Sequence, residues 1–252
     1  MRILLLNGNT NGGLTETLAA EARLYAGRGT EIIAVNCTRG ARFVASRAAE
    51  VIAAQAMLEV ASAHFGKYDA VLIAISFDTA LHALRELLPT PVVGMTEASC
   101  HAACMVGSRF GVVVPSARTA SVYRERIEGY GLGGRLAGMR VVDRSAAELY
   151  EDPDSALEAV GTAARALVQE DGCESVVLAG AALVGLHRRL QAQLPVPVLD
   201  GIACGVGMLE ALARLGLPKA QCGSFAVPEP ATLCNIDPAL ARLLNAPSGE
   251  AQ

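Results

Sequence analysis

The sequence predicts an α/β protein with two pseudo-symmetric parallel-sheet lobes and a ligand cleft between them. Three observations predict it. Residues 71–75 form a short apolar run that ends in the polar tetrad Ser76-Phe-Asp-Thr79. Such a run reads as a buried parallel strand, with ligands held just outside its carboxyl end. Ser175-Val-Val-Leu-Ala-Gly-Ala181 repeats the arrangement in the second half, a β-branched strand ending in small residues. Finally, the order of strand and helix patterns restarts midway along the chain. The two strands read as partners facing each other across one cleft.

Taken in order, residues 2–6 are the first strand. The loop Asn7-Gly-Asn-Thr-Asn-Gly-Gly13 follows, and a helix begins at Leu14, with Leu18, Ala19 and Ala22 in helical period. The loop is either an anion site built from backbone N–H groups and a helix dipole, or a tight turn without a ligand. No Gly-Lys-Ser/Thr follows, so it is not a P-loop, and it is not a dinucleotide fingerprint. Residues 31–36 are a strand, 37–48 a loop, and a helix runs on to about 65. The strand over 71–75 leads to a short helix over 81–88, stopped by Pro89 and Pro91. Residues 92–95 are the fourth strand.

The pattern then repeats. Helix over 97–106 and strand over 109–114 lead to Pro115-Ser-Ala-Arg-Thr119. A helix over 120–130 is closed by Gly131 and Gly133. Strand over 140–143, helix over 153–170, strand over 175–178, helix over 183–193, strand over 196–199 and helix over 202–215 complete the second half. The expected lobes are residues 1–95 with 205–252, and residues 96–204. The tail over 247–252 reads as frayed.

Composition narrows the function. The chain has 252 residues, 52% hydrophobic and only 4% aromatic, with no Trp, which suits layers packed with small aliphatic side chains and excludes disorder. A net charge of −4 without a Lys/Arg block argues against a nucleic-acid partner. No apolar run is long enough for a membrane span. The apolar core of Met1-Arg-Ile-Leu-Leu-Leu-Asn7 is too short for a signal peptide and works better as a strand, so the cytoplasm is the expected compartment. Seven cysteines at irregular spacing fit reduced thiols better than a disulfide framework. Four histidines and no C-x-x-C pair predict no metal site. A small molecule is the expected partner, and the chain is expected to be a homo-oligomer.

Four motifs carry a family resemblance. They are Asn7-Gly-Asn-Thr10 followed by Thr15, Thr90-Pro-Val-Val-Gly-Met-Thr-Glu-Ala-Ser99, Ser108-Arg-Phe-Gly-Val-Val113 and Pro197-Val-Leu-Asp-Gly201. In this order they make the chain resemble the Asp/Glu/hydantoin racemase superfamily, its hydantoin/allantoin racemase branch in particular, over nearly its whole length. The resemblance implies an aspartate racemase-like fold and a cofactor-independent isomerase. In the family, two thiols on opposite faces of a carbon next to a carbonyl remove and return a proton.

Here the chain departs from the pattern. Ser76 stands where the first cysteine is expected and Gly180 where the second is. A neutral Ser hydroxyl is a poor base and Gly180 offers only a backbone N–H. Two-thiol racemisation is therefore not expected of the wild type.

Other groups are candidates for the cleft. Cys100 and Cys204 are possible substitute thiols, or small buried hydrophobes like most unpaired cysteines. Asp78 either activates a hydroxyl, accepts a substrate N–H, or caps a helix. Asn9, Thr10, Phe77, Thr79, Pro115, Ser116, Tyr123 and Ala181 are expected around substrate. Arg47 either pairs with a substrate carboxylate or lines a surface. His82 and His187 are general acid/base candidates or exposed helix residues. The function expected is a racemase or isomerase acting next to a carbonyl of a hydantoin-, allantoin- or carboxylate-type compound. The alternatives are an arylmalonate-decarboxylase-like decarboxylase or lyase, and an inactive metabolite-binding member.

Overall fold

The protein is described by a computed structural model covering residues 1–245. Two four-stranded parallel sheets form the two lobes. The first contains β1 (Arg2–Asn7), β2 (Glu31–Asn36), β3 (Ala70–Ile73) and β4 (Val92–Gly94), in the order β2-β1-β3-β4. The second contains β5 (Phe110–Val114), β6 (Leu136–Val141), β7 (Ser175–Leu178) and β8 (Val198–Asp200), in the order β6-β5-β7-β8. The orders are equivalent, so β3 of the first sheet corresponds to β7 of the second.

Each sheet is buried on both faces, which is why its strands read as continuous apolar runs. Strand period 2 splits them cleanly. Leu4, Leu6, Val71 and Ile73 meet α2 (Arg47–Ala63) and α3 (Leu81–Leu87) on one face. Ile3, Leu5 and Leu72 meet α1 (Gly12–Tyr25) on the other, through Leu14 and Leu18. In the second lobe, Val113, Val176 and Leu178 pack on α7 (Pro153–Gln169) and α8 (Leu186–Gln191). Val112, Val114 and Val177 pack on α4 (Met95–Val106) and α5 (Ala117–Gly129).

Among the described residues the chain crosses between the lobes twice. At Met95 it enters α4, which packs on the second sheet. At Gly201 it enters α9 (Gly201–Leu215), whose Ile202, Val206 and Leu209 lie in the core of the first sheet. The return thus begins at Gly201 rather than at 205. Gly201 allows the two crossing helices to touch, since a Cβ there would sit 2.6 Å from the Met95 carbonyl oxygen. The helix α10 (Pro238–Leu244) then covers the first sheet with Leu240 and Leu243.

Besides the unexpected α10, three elements differ from expectation. The sixth strand occupies Leu136–Val141, not 140–143, because an edge strand of intermediate burial tolerates the Ala and Gly in LAGMRV. A short helix α6 (Ala146–Glu151) precedes α7, started by a capping box between Ser145 and Glu148. Residues 183–193 split into a 3-10 turn, Ala181–Leu183, and α8, with Gly185 at φ 81° between them. The expected fraying over 247–252 lies outside the described residues. No helix among the described residues is long and apolar enough to cross a membrane.

Candidate active site

Between the lobes lies a cavity of about 440 Å³. It is lined by residues that follow β1, β3, β5 and β7: Asn9, Ser76 with Phe77, Pro115 with Ser116, and Gly180 with Ala181. These are the carboxyl ends of the strands where the order of each sheet reverses, the place where open α/β sheets bind ligands. Ser76 and Gly180 therefore share one cavity, as the paired strands predicted.

The Ser76 turn is held firmly. Asp78 is buried and positioned at φ 50°, with Ala80 at φ 62° beside it. The Asp78 carboxylate accepts the backbone N–H of Thr96 at 3.0 Å and of Glu97 at 2.7 Å, and the Tyr130 hydroxyl at 2.7 Å. The Thr96 hydroxyl donates to the Ser76 carbonyl at 2.6 Å. Ser76 Oγ is thereby fixed 2.7 Å from Tyr123 Oη. Burial pushes the Tyr123 phenol well above its ordinary range, so it stays protonated.

Asp78 thus anchors α4 and does not line the cavity. Burial pushes its pKa up to about 7, against the opposing hydrogen bonds from Tyr130, Thr96 and Glu97. A carboxyl whose folded pKa lies above its unfolded value contributes most below the unfolded pKa and loses that contribution as pH rises through the folded one. Stability from this group should fall between pH 3.8 and about 7. Asp78→Asn is expected to flatten the dependence of Tm on pH across that window, while costing about 1–3 kcal/mol for the lost acceptor. A variant whose Tm still falls with pH as in the wild type would contradict this assignment.

Of the other expected residues, Asn9 lines the cavity. Its side chain is spent inside the loops: its amide donates to Asn7 Oδ1 at 2.7 Å and its Oδ1 accepts the Val44 N–H at 2.7 Å. The following lie elsewhere. Thr10 donates its N–H to the Ala41 carbonyl at 3.0 Å and is not in the lining. Arg47 pairs with Glu125 on the surface. Thr79 is buried beneath the turn. Cys100 is completely buried in the core of the second lobe, and burial raises its pKa strongly. Burial, with Asp200 nearby, pushes the Cys204 thiol up to about 12. Neither thiol lines the cavity, so neither substitutes for a missing one. His82 stacks on Phe225 outside the cleft.

Several lining residues were not anticipated. Arg118 at the start of α5, and Asp143 with Arg144 after β6, bring charge to the cavity. Asp143 has φ 57°, a left-handed conformation. Phe43, on the loop after β2, lies 6.0 Å from the Tyr150 ring of α6, so the two lobes meet above the cavity. Arg118 stands within Pro115-Ser-Ala-Arg-Thr119, directly behind a strand end. That position was the available signal.

The absence of a metal-ligand cluster also needs correction. Glu21, His187 and Asp200 are distant in sequence, yet the fold brings one ligand-type atom from each within 4.8 Å of the others.

The fold and cavity define a two-lobed α/β enzyme whose site is assembled from equivalent strand ends of both lobes. The sequence model of the Asp/Glu/Hydantoin racemase family matches residues 3–209, and the chain belongs to that family. It is 34% identical over 230 residues to a hydantoin racemase of Paenarthrobacter aurescens, covering 90% of this chain and 98% of the relative. An allantoin racemase from Klebsiella pneumoniae superposes with a TM-score of 0.91 at 35% identity, covering 95% of this chain and 98% of that one. An allantoin racemase from Pseudomonas fluorescens gives 0.90 at 34% identity, with 93% and 100% covered. This kinship makes the chain an isomerase of the racemase type.

Proposed function

We propose that the protein is a cofactor-independent racemase acting on a carbon next to a carbonyl in a small hydantoin-, allantoin- or carboxylate-type compound. One observation carries this reading: Ser76 and Gly180, at the ends of equivalent strands, line one cavity in a chain of this family. The names of its relatives favour the cyclic ureides as substrates. A cytoplasmic homo-oligomer is part of the same proposal.

The chemistry runs without thiols. Asp143 is the one carboxylate among the described residues lining the cavity, and it removes the substrate proton. The negative charge moves onto the carbonyl oxygen, which the Ser76 hydroxyl stabilises by hydrogen bonding while its own oxygen accepts from Tyr123. Arg118 and Arg144 favour the same charge through space. A solvent proton returns to the carbon on the other face, and Asp143 passes the proton it took to solvent, which resets the site.

Exchange of the substrate α-proton in deuterated water, followed by NMR together with optical rotation, tests this. Asp143→Asn should lower exchange of hydantoin or allantoin by about 10²–10⁴-fold, the usual contribution of a positioned base. Unchanged exchange would take the base role from Asp143. A protein that these compounds only stabilise thermally, without exchange, would be an inactive binder, and release of carbon dioxide from a malonate would make it a decarboxylase.

A further inference from the structure

A second polar cluster lies outside the cavity, where the lobes join. Glu21 comes from α1, His187 from α8 and Asp200 from the end of β8, and all three are buried. Their arrangement is not a set of mutual hydrogen bonds. His187 Nδ1 is buried without a hydrogen-bond partner. It faces Asp200 Oδ2 at 3.6 Å and Glu21 Oε1 at 3.9 Å. Both separations exceed hydrogen-bond length. They lie close to the spacing of roughly 3–3.6 Å between neighbouring ligands on one ion with bonds of about 2.0–2.2 Å.

The surroundings orient these atoms as an outer shell orients metal ligands. Tyr25 Oη holds His187 Nε2 at 2.7 Å, which leaves Nδ1 aimed at the two carboxylates. Asp200 Oδ1 accepts the N–H groups of Ile202 at 2.8 Å and Ala203 at 3.0 Å, and Oδ2 accepts that of Gly185 at 3.1 Å. Arg188 pairs with Glu21 Oε1, offsetting one of the two negative charges and leaving the other. An ionised carboxylate has enough lone pairs to serve both a guanidinium and a cation.

We propose that Glu21, His187 and Asp200 bind one divalent transition-metal ion, with zinc the best match, as a clasp between the lobes. One imidazole nitrogen and two carboxylate oxygens suit zinc, with water completing its shell. The ion is structural. α1 carries Leu14 of the cavity wall, and α8 follows the Gly180–Ala182 segment of the opposite wall. A cation joining α1 to α8 and β8 therefore fixes the width of the cleft without touching substrate.

The test uses the full chain carrying Cys222→Ser and Cys234→Ser, since these exposed thiols would take zinc on their own. The protein is stripped with EDTA, dialysed, and titrated with zinc chloride by calorimetry. One zinc per chain is expected, with Tm rising by on the order of 5 °C at a hundredfold excess over Kd. Glu21→Gln and His187→Gln should each weaken binding by about 100-fold, the upper end of what outer-shell changes cost. No binding by the parent, or binding by either variant as tight as the parent's, overturns the proposal. If either variant fails to fold, the cobalt(II) form of the parent decides. Visible ligand-field bands without a thiolate charge-transfer band support the site. A thiolate band, or no cobalt spectrum at all, overturns it.

Discussion

Ser76→Ala is expected to lower α-proton exchange on a hydantoin or allantoin by about 10²–10³-fold, the cost of losing one preorganised donor to a developing oxyanion. Ser76 is the hydroxyl that β3 presents to the cavity, and both of its polar groups are fixed, by Thr96 and by Tyr123. The loss should appear in kcat more than in KM, because the interaction strengthens as charge moves onto oxygen. Tyr123→Phe should give a smaller loss of the same kind, since it removes the partner that orients Ser76 and leaves the hydroxyl. The melting temperature of Ser76→Ala should stay near that of the wild type. A Ser76→Ala protein with wild-type kcat would remove this hydroxyl from the mechanism.

The second large effect comes from restoring thiols. Ser76→Cys with Gly180→Cys should raise α-proton exchange, with an onset near the ordinary thiol pKa of about 8.5. A positioned base contributes about 10²–10⁴-fold, at least as much as the donor given up. Either single change should give less than the pair, because inversion needs a group on each face. Gly180 makes the pair expensive. It sits at φ 158° and ψ 123°, and a Cβ there would lie 3.2 Å from Pro115 Cγ and 3.4 Å from Leu183 Cγ. Backbone strain of this kind costs about 1–3 kcal/mol. In a chain of this size that lowers Tm by about 3–10 °C. A folded double variant that exchanges no faster than wild type would show a cleft reshaped for another reaction.

The fold was legible because every buried strand is an apolar run bounded by turn residues. β2 and β7 fall where the sequence places them, over Glu31–Asn36 and Ser175–Leu178. The sixth strand was displaced because the β-branched pair at 141–142 is a stronger local signal than Leu136-Ala-Gly-Met139. That signal loses to pairing with β5, which begins at Leu136 opposite Phe110. Two helices left signals that went unread: the Ser145/Glu148 capping box before α6, and Asp237 capping α10 with Pro238 in its first turn.

The site was legible mainly where it follows strand ends; Tyr123, within α5, is the exception. Ser76, Phe77, Pro115, Ser116, Gly180 and Ala181 all follow strand ends, and all line the cavity. Cys100 and Cys204 were candidates on sequence position, but helix phase turns both into packed interior. Asp78 was expected at the substrate, with a helix cap as the alternative; it accepts the Thr96 and Glu97 N–H groups and anchors α4, across the sheet edge. The Glu21, His187 and Asp200 cluster depends on the two lobes meeting, which no local pattern encodes.

The proposed mechanism needs no thiol. Its most direct test is α-proton exchange in deuterated water on hydantoin and allantoin, before and after exhaustive alkylation of accessible cysteines with iodoacetamide. No thiol lines the cavity among the described residues; Cys100 is buried, Cys204 is half-buried, and burial raises the pKa of both thiols. The exchange rate should be the same before and after alkylation. Its loss on alkylation, prevented by bound substrate, would contradict the account and return the chemistry to a cysteine.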